Sequence, residues 1–291
     1  MQCDRLWRSC EMKLSCLPVS FFQEIIGGKM SITEWAKIGK SVGLDAVDIS
    51  ILFVAGASEK KLTDIRKEVE DLGMQICMVT SYPDFTHPDP DQRRREVELE
   101  KAVVRTAQLL GAKLVRVTAG QAHPGVSPED GIDWAVEGLG NLVEQTKGMG
   151  VQLVYENHSK PGAWVYTDFS EPPAIFLEIA RRTESIGLGI NFDVGNAAAF
   201  SDSPVDLLRE VVDRVVSVHA SDTKVKGALQ HVLVGTGITP YPEIFSFLRK
   251  KGWDGWICIE EASFLGEQGV RKAADFIRQC WEMTILRKAG K

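Results

Sequence analysis

The chain has 291 residues, 44% of them hydrophobic and 25% charged, enough to enclose either one large α/β barrel or two ordinary domains. Its 34 basic and 40 acidic residues leave a formal charge of −6, so no general attraction draws a polyanion and nucleic acid is not an expected partner. No run of eighteen apolar residues occurs, which argues against a membrane span, and the opening MQCDRLWRSCEMK reads as too polar for a secretory leader, so a cytoplasmic protein is expected.

Residues 1–11 read as an N-terminal extension and residues 12–291 as one domain. Eight apolar strand-like runs follow in order: MKLSCLPV, GLDAVDISIL, MQICMVTS, AKLVRVTA, VQLVYEN, LGINFDV, VVSVHAS and WICIEEA. Between them lie segments of helical period, among them ITEWAKIGKSVG, EKKLTDIRKEVEDLG, REVELEKAVVRTAQLLG and WAVEGLGNLVEQTKGMG. Gly43, Gly73, Gly111, Gly150 and Gly252 each close such a segment, as helix C-caps do. Near-continuous apolar strands alternating with helices predict a parallel sheet covered on its outer face, and eight units predict a single (β/α)8 TIM barrel. The rival, an open doubly wound sheet, lacks a GxGxxG or GxxxxGK[ST] after the first strand. Cys3, Cys10, Cys16, Cys77, Cys258 and Cys280 show no CxxC spacing and are read as reduced, mostly buried thiols.

A barrel keeps its chemistry in the loops after its strands, where all eight strand ends converge. Here those loops are polar: YPDFTHPDPD, GQAHPGVSPED, HSKPGAWVYTDFSEPP and DTKVKGALQHVLVGTG. Glu156, Asp193, His219 and Glu260 each stand at the polar exit of an apolar run. Their spacings of 37, 26 and 41 residues scatter around the roughly 31 expected when about 250 residues are divided among eight strands. Three carboxylates and one imidazole form an oxygen-rich set that suits one octahedral divalent metal ion, with Mn²⁺ favoured and Mg²⁺ or Co²⁺ as alternatives, better than a closed structural zinc. Such an ion would leave positions for adjacent carbonyl and hydroxyl oxygens and stabilise an enediolate. For any one of the four, a loop hydrogen bond or helix cap competes with ligation, and Glu261 competes with Glu260 because strand alternation sends the two to opposite faces.

The segments VYENHSK, NFDVGN, SVHASD and GWDGWICIEEA resemble the sugar isomerase/epimerase members of the xylose isomerase-like barrel superfamily, over residues 12–285. The resemblance implies a quartet in which Glu156, Asp193, His219 and Glu260 bind the metal and the two glutamates also exchange protons with a substrate carbon. It favours Glu260 over Glu261. Two departures stand out: Asn196 where a histidine is common three residues after the ligand aspartate, and Asp48 where a glutamate is usual on the second strand.

His158, two residues past Glu156, shares its face if the strand runs on, and is a candidate base or substrate ligand, with a loop histidine as the plainer alternative. Arg116, Lys160, Trp164, Asn196, Lys224 and His231 complete a candidate set for gripping or stacking on a small sugar or keto-polyol; a surface or packing role competes for each. His87 and His123 carry less weight. The expected reaction is isomerisation or epimerisation of a ketose or keto-polyol. A lyase or dehydratase using the same proton abstraction before β-elimination, on keto-inositols or 3-oxo-glycosides, is the alternative. An abasic-site endonuclease of the same superfamily is remote, since its metal cluster needs more histidines than the five present, and Leu229 stands where that cluster requires Asp. The tail GVRKAADFIRQCWEMTILRK, with Phe276, Trp281 and Ile285, leaves open packing on its own barrel, a homo-oligomer or a partner subunit.

Overall fold

The computed structural model describes residues 12–289, with side chains to residue 284; the expected extension at residues 1–11, Cys3, Cys10 and the Ile285 side chain lie outside that range. Among the described residues ten strands occur: β1 (Lys13–Leu17), β2 (Val47–Ser50), β3 (Ile76–Thr80), β4 (Leu114–Val117), β5 (Gln152–Glu156), β6 (Gly189–Asp193), β7 (Val215–Ala220), β8 (Thr223–Val225), β9 (Ala228–His231) and β10 (Trp256–Glu260). Eight of them form one parallel sheet in the order β1-β10-β7-β6-β5-β4-β3-β2, while β8 and β9 pair as a separate antiparallel hairpin. The sheet closes where the Asp45 and Ala46 N–H groups donate to the Leu14 carbonyl, at 2.9 and 3.3 Å, and Leu14 N–H donates to Asp45 Oδ2 at 2.8 Å. A single (β/α)8 barrel results, as the eight apolar runs predict.

The helices are α1 (Phe22–Ile26), α2 (Ile32–Ser41), α3 (Glu59–Asp71), α4 (Pro90–Leu110), α5 (Pro128–Thr146), α6 (Pro173–Arg182), α7 (Val194–Phe200), α8 (Pro204–Val211), α9 (Tyr241–Lys250) and α10 (Glu267–Ala289). Ser31 and Glu34 form a reciprocal capping box at the start of α2. Two helices begin earlier than their apolar period predicts: Asp89 caps α4 and Ser127 caps α5, each with proline next, so the loops after β3 and β4 are shorter than composition suggests. Gly111 ends α4 at φ 78°, a left-handed backbone that closes the helix without a Cβ clash. On α10, Trp281 packs edge-on to Phe245 (5.3 Å) and Phe276 to Tyr241 (5.4 Å), so this helix lies against its own barrel. No described helix is long and apolar enough to cross a membrane.

Strand alternation sorts the core into two parts. Val47, Ile49, Val115, Val117, Leu153, Tyr155, Ile257 and Ile259 belong to the large cluster between sheet and helices, while Cys77, Met78, Leu114, Val154 and Cys258 fill a small cluster on the opposite face, inside the barrel. Residues two further along the same face rise to the rim, and there the interior turns from apolar to charged: Arg116, Glu156 and Glu260. Cys16, Cys77, Cys258 and Cys280 are buried.

Candidate active site

Glu156 follows Val154 by two residues and so ends β5 facing inward. The same count places Glu260 inward after Cys258 and turns Glu261 away; Glu261 Oε1 instead accepts from the Ser263 N–H (2.9 Å) and the Ser263 hydroxyl. Asp193 and His219 face each other in register across β6 and β7. One ligand-type atom from each of Glu156, Asp193 and His219 lies within 4.8 Å of the other two, and all three residues are buried.

One side of each carboxylate is already engaged. The Asn191 amide donates to Glu156 Oε1 (2.6 Å), and Asn191 Oδ1 accepts from the Ser217 hydroxyl (2.7 Å). Asp193 Oδ1 caps α7, accepting from the Asn196 N–H (2.6 Å) and the Ser221 hydroxyl (2.8 Å). Asn157 holds the Asp193 backbone in both directions, donating to its carbonyl and accepting from its N–H, each at 2.8 Å. At Gly195 a Cβ would stand 2.2 Å from Ser221 Oγ, so only glycine lets α7 begin this close to the end of β7.

The remaining atoms point inward unmatched. Asp193 Oδ2, Glu156 Oε2 and both ring nitrogens of His219 are buried without a hydrogen-bond partner. Arg116 Nε lies 3.1 Å from Glu156 Oε2, and His219 Nδ1 lies 2.5 Å from Glu156 Oε1, close enough to act as charges although neither contact has hydrogen-bond geometry. Burial pushes the Asp193 carboxyl well above the usual carboxylate range, and the charges of Glu260 and Glu156 push it further. Burial opposes ionisation of Glu156 as well, yet Arg116 and His219 hold it below its ordinary value. For His219, burial disfavours the cation, but the Glu156 carboxylate outweighs it and raises the imidazole to about 9. The site is therefore crowded with acceptors and short of positive charge.

That deficit fits a divalent cation. Buried unpaired polar atoms are costly, and two carboxylate oxygens with an imidazole nitrogen suit Mn²⁺, Mg²⁺ or Co²⁺. Ligand atoms bound at about 2.0–2.2 Å to one ion stand at most about 4.4 Å apart, and the three ligand-type atoms here lie within 4.8 Å of one another. Glu260 stands apart from this trio: it is half-buried in the cavity wall, and its charge reaches Asp193 and His219.

A cavity of about 380 Å³ is lined in part by Arg116, the partner of Glu156. Of the residues singled out by sequence, Arg116, His158, Lys160, Asn196, His231 and Glu260 line it. Arg116 is committed to Glu156 and to the Ser81 carbonyl (2.9 Å), and Lys160 Nζ donates to the Val165 carbonyl (2.9 Å). Two other candidates lie outside the cavity wall. Trp164 does not line the cavity; it is buried with its ring 6.2 Å from that of His158. Lys224 is exposed on the β8–β9 hairpin, outside the cavity wall. Asp48 sits lower in the barrel, bonded to the Ser15 hydroxyl (2.6 Å) and the Met78 N–H (3.1 Å).

Sequence reasoning missed Asn191, Ser217, Tyr82 and Asp168. The first two carried a signal: each is polar within an apolar run, two residues before Asp193 and His219 and so on the same face. Tyr82 lines the cavity with its ring under the Arg116 guanidinium, at 4.8 Å. Asp168 Oδ2 lies 3.6 Å from His158 Nδ1, while its Oδ1 accepts from the Ser170 N–H and hydroxyl, each at 2.7 Å.

Residues 36–280 match the family model described as xylose isomerase-like TIM barrel. An uncharacterized protein of Methanocaldococcus jannaschii is 27% identical over 244 residues, covering 80% of this chain and 78% of that one. L-ribulose-5-phosphate 3-epimerase of Shigella flexneri is 20% identical over 285 residues, covering 94% of this chain and 96% of the relative. Among solved structures, a D-tagatose 3-epimerase-like protein superposes with TM-score 0.78 at 20% identity, covering 95% of this chain and 99% of that one; it supports the fold alone.

Proposed function

The chain belongs to the xylose isomerase-like TIM barrel family, and from that premise we propose that it is a divalent-metal-dependent isomerase or epimerase. It moves a proton on the carbon next to the carbonyl of a ketose or keto-polyol. The observation that carries this reading is the set of unpaired buried atoms on Glu156, Asp193 and His219, joined through Arg116 to a cavity whose wall also presents Glu260. The name of the Shigella relative supports the same class of chemistry.

Glu156, Asp193 and His219 would hold the metal, with Glu260 as the fourth ligand, and Mn²⁺ is the preferred ion. When bound, the ion supplies Lewis acidity that favours negative charge on the substrate's oxygens. Proton movement is the work of the chain. Glu260, outside the tight trio and facing the cavity, takes the proton from carbon. Glu156 is the second proton-transfer carboxylate, and Asn191, itself fixed by Ser217, sets its orientation. Arg116 keeps Glu156 ionised in a buried place. A panel of ketoses and keto-polyols in D₂O with Mn²⁺ tests this: deuterium should enter next to the carbonyl of at least one, and alanine at Glu156 or Glu260 should abolish that exchange. Exchange that survives either substitution removes that residue from the reaction.

A second reading is elimination after the same proton step. It is favoured by His158, which lines the cavity and lies 3.6 Å from buried Asp168, an arrangement that can orient a base. Release of water or an alcohol together with an enone would decide for elimination.

A further inference from the structure

After β7 the chain does not pass straight to its helix. It first forms the β8–β9 hairpin and a turn through residues 232–239, and only then enters α9. Of residues 224–238 Val234 alone is buried, so apolar packing fixes little of this segment. Its polar anchor is Asp222. Oδ1 accepts from the N–H groups of Thr223 (2.9 Å) and Thr239 (3.1 Å), and Oδ2 from those of Gly235 (2.9 Å) and Gly237 (2.8 Å). One carboxylate thus gathers both ends of the segment. A Cβ at Gly237 would stand 2.3 Å from Asp222 Oδ1, so the turn closes on this carboxylate only with glycine there. At the tip of the hairpin, the Gly227 N–H donates to the Ala199 carbonyl of α7 (2.8 Å).

Asp222 is buried and does not line the cavity, yet the segment it holds does. Leu229 and His231, two residues apart on β9 and so on one face, line it together with Asn196 and Glu260. Strand order brings these four together: β7 lies between β6, which leads into Asn196 on α7, and β10, which ends in Glu260. The hairpin therefore walls the side of the cavity on which Glu260 would meet a substrate.

We propose that Asp222 is a positioning residue of the reaction site: by tying the two ends of the hairpin segment together it presents Leu229 and His231 to the substrate. This rests on the isomerase reading above and deepens it. A wall fixed before the substrate arrives needs no ordering when it binds. Without the Asp222 knot the substrate itself must order Leu229 and His231, which weakens binding equally in the ground and transition states. Such a loss raises KM and leaves kcat nearly unchanged.

The test uses the full chain with Mn²⁺ and the D₂O panel above, D-fructose and D-tagatose included, with KM and kcat of exchange taken on the compound exchanged fastest. Asp222→Asn turns one acceptor oxygen into an NH₂ group that opposes the N–H donors. It should raise KM about tenfold, the cost of ordering one or two side chains, with kcat and calorimetric Mn²⁺ affinity nearly unchanged. Leu229→Ala and His231→Ala should each raise KM in the wild type and add little in Asp222→Asn, because residues that act through one wall are coupled. Gly237→Ala breaks the knot while keeping Asp222; it should repeat the KM rise, and it carries the test if Asp222→Asn does not fold. A KM that neither Leu229→Ala nor His231→Ala moves overturns the proposal, as do fully additive effects. A kcat loss larger than the KM rise, or lost Mn²⁺ binding, also overturns it and makes Asp222 a support of the trio. Each of these outcomes leaves exchange by the wild type, and with it the isomerase reading, intact. Absence of exchange on every compound ends that reading and the proposal together.

Discussion

Two layers of the same barrel interior bury carboxylates in opposite ways. Low in the barrel, both oxygens of Asp48 are matched, by the Ser15 hydroxyl and the Met78 N–H, beside the thiols of Cys77 and Cys258. At the rim, Asp193 and Glu156 each keep one buried oxygen without a hydrogen-bond partner, next to an imidazole in the same condition. Burial alone therefore does not mark function; the lower carboxylate is completed by the protein, and the upper cluster is left for something the protein does not supply.

The sharpest separation of roles within the upper layer is Glu260→Gln. Turnover should fall by about 10²–10⁴-fold, while Mn²⁺ affinity falls by no more than about 10–100-fold, because Glu260 lies outside the tight trio and glutamine keeps an oxygen for the fourth position. Steady-state kinetics beside a binding titration would show it, and a parallel collapse of both would make Glu260 chiefly a ligand.

A third buried carboxyl extends the comparison. Glu100, on α4 and bonded to the Ser81 hydroxyl (2.7 Å), is pushed by burial up to about 8 from an ordinary 4.5. Its folded value is raised, so its contribution to stability is full below pH 4.5 and is lost as pH rises toward 8. Glu100→Gln should thus gain on the wild type across that window, by on the order of a few kcal/mol, read from urea unfolding at a series of pH values. A constant difference would contradict it.

Asp48→Ala, which strands the Ser15 hydroxyl and the Met78 N–H, should cost about 1–3 kcal/mol of stability without touching Mn²⁺ binding. The smallest effect is expected for Asp193→Asn in chelator. It keeps an oxygen for the α7 cap and removes a charge that Glu156 and Glu260 oppose, so unfolding should show stability equal to or above the wild type. A clear loss would mean that the upper layer is structural too.

The barrel strands were legible because both faces of each are buried, which writes them as apolar runs. The inward carboxylates were legible because each breaks such a run at its end. The hairpin β8–β9 was not, since its residues are mostly half-exposed and alternate no hydrophobic face. The starts of α4 and α5 were hidden by cap residues and prolines that also compose loops. The positions of Lys224 and Trp164 were not legible for a related reason: loop residues have no register from which to infer where their side chains lead. Glu260 could not be chosen over Glu261 by pattern, because both flank a run buried on both faces; the structure separates them by counting from Cys258.

Calorimetric titration of metal-free protein with Mn²⁺ tests the upper layer most directly, with the wild type set against Asp193→Ala and Asp48→Ala. The expected result is one ion per chain in the wild type and in Asp48→Ala, and no measurable binding in Asp193→Ala. A wild type that binds no ion, or an Asp193→Ala chain that binds as tightly as the wild type, would contradict it.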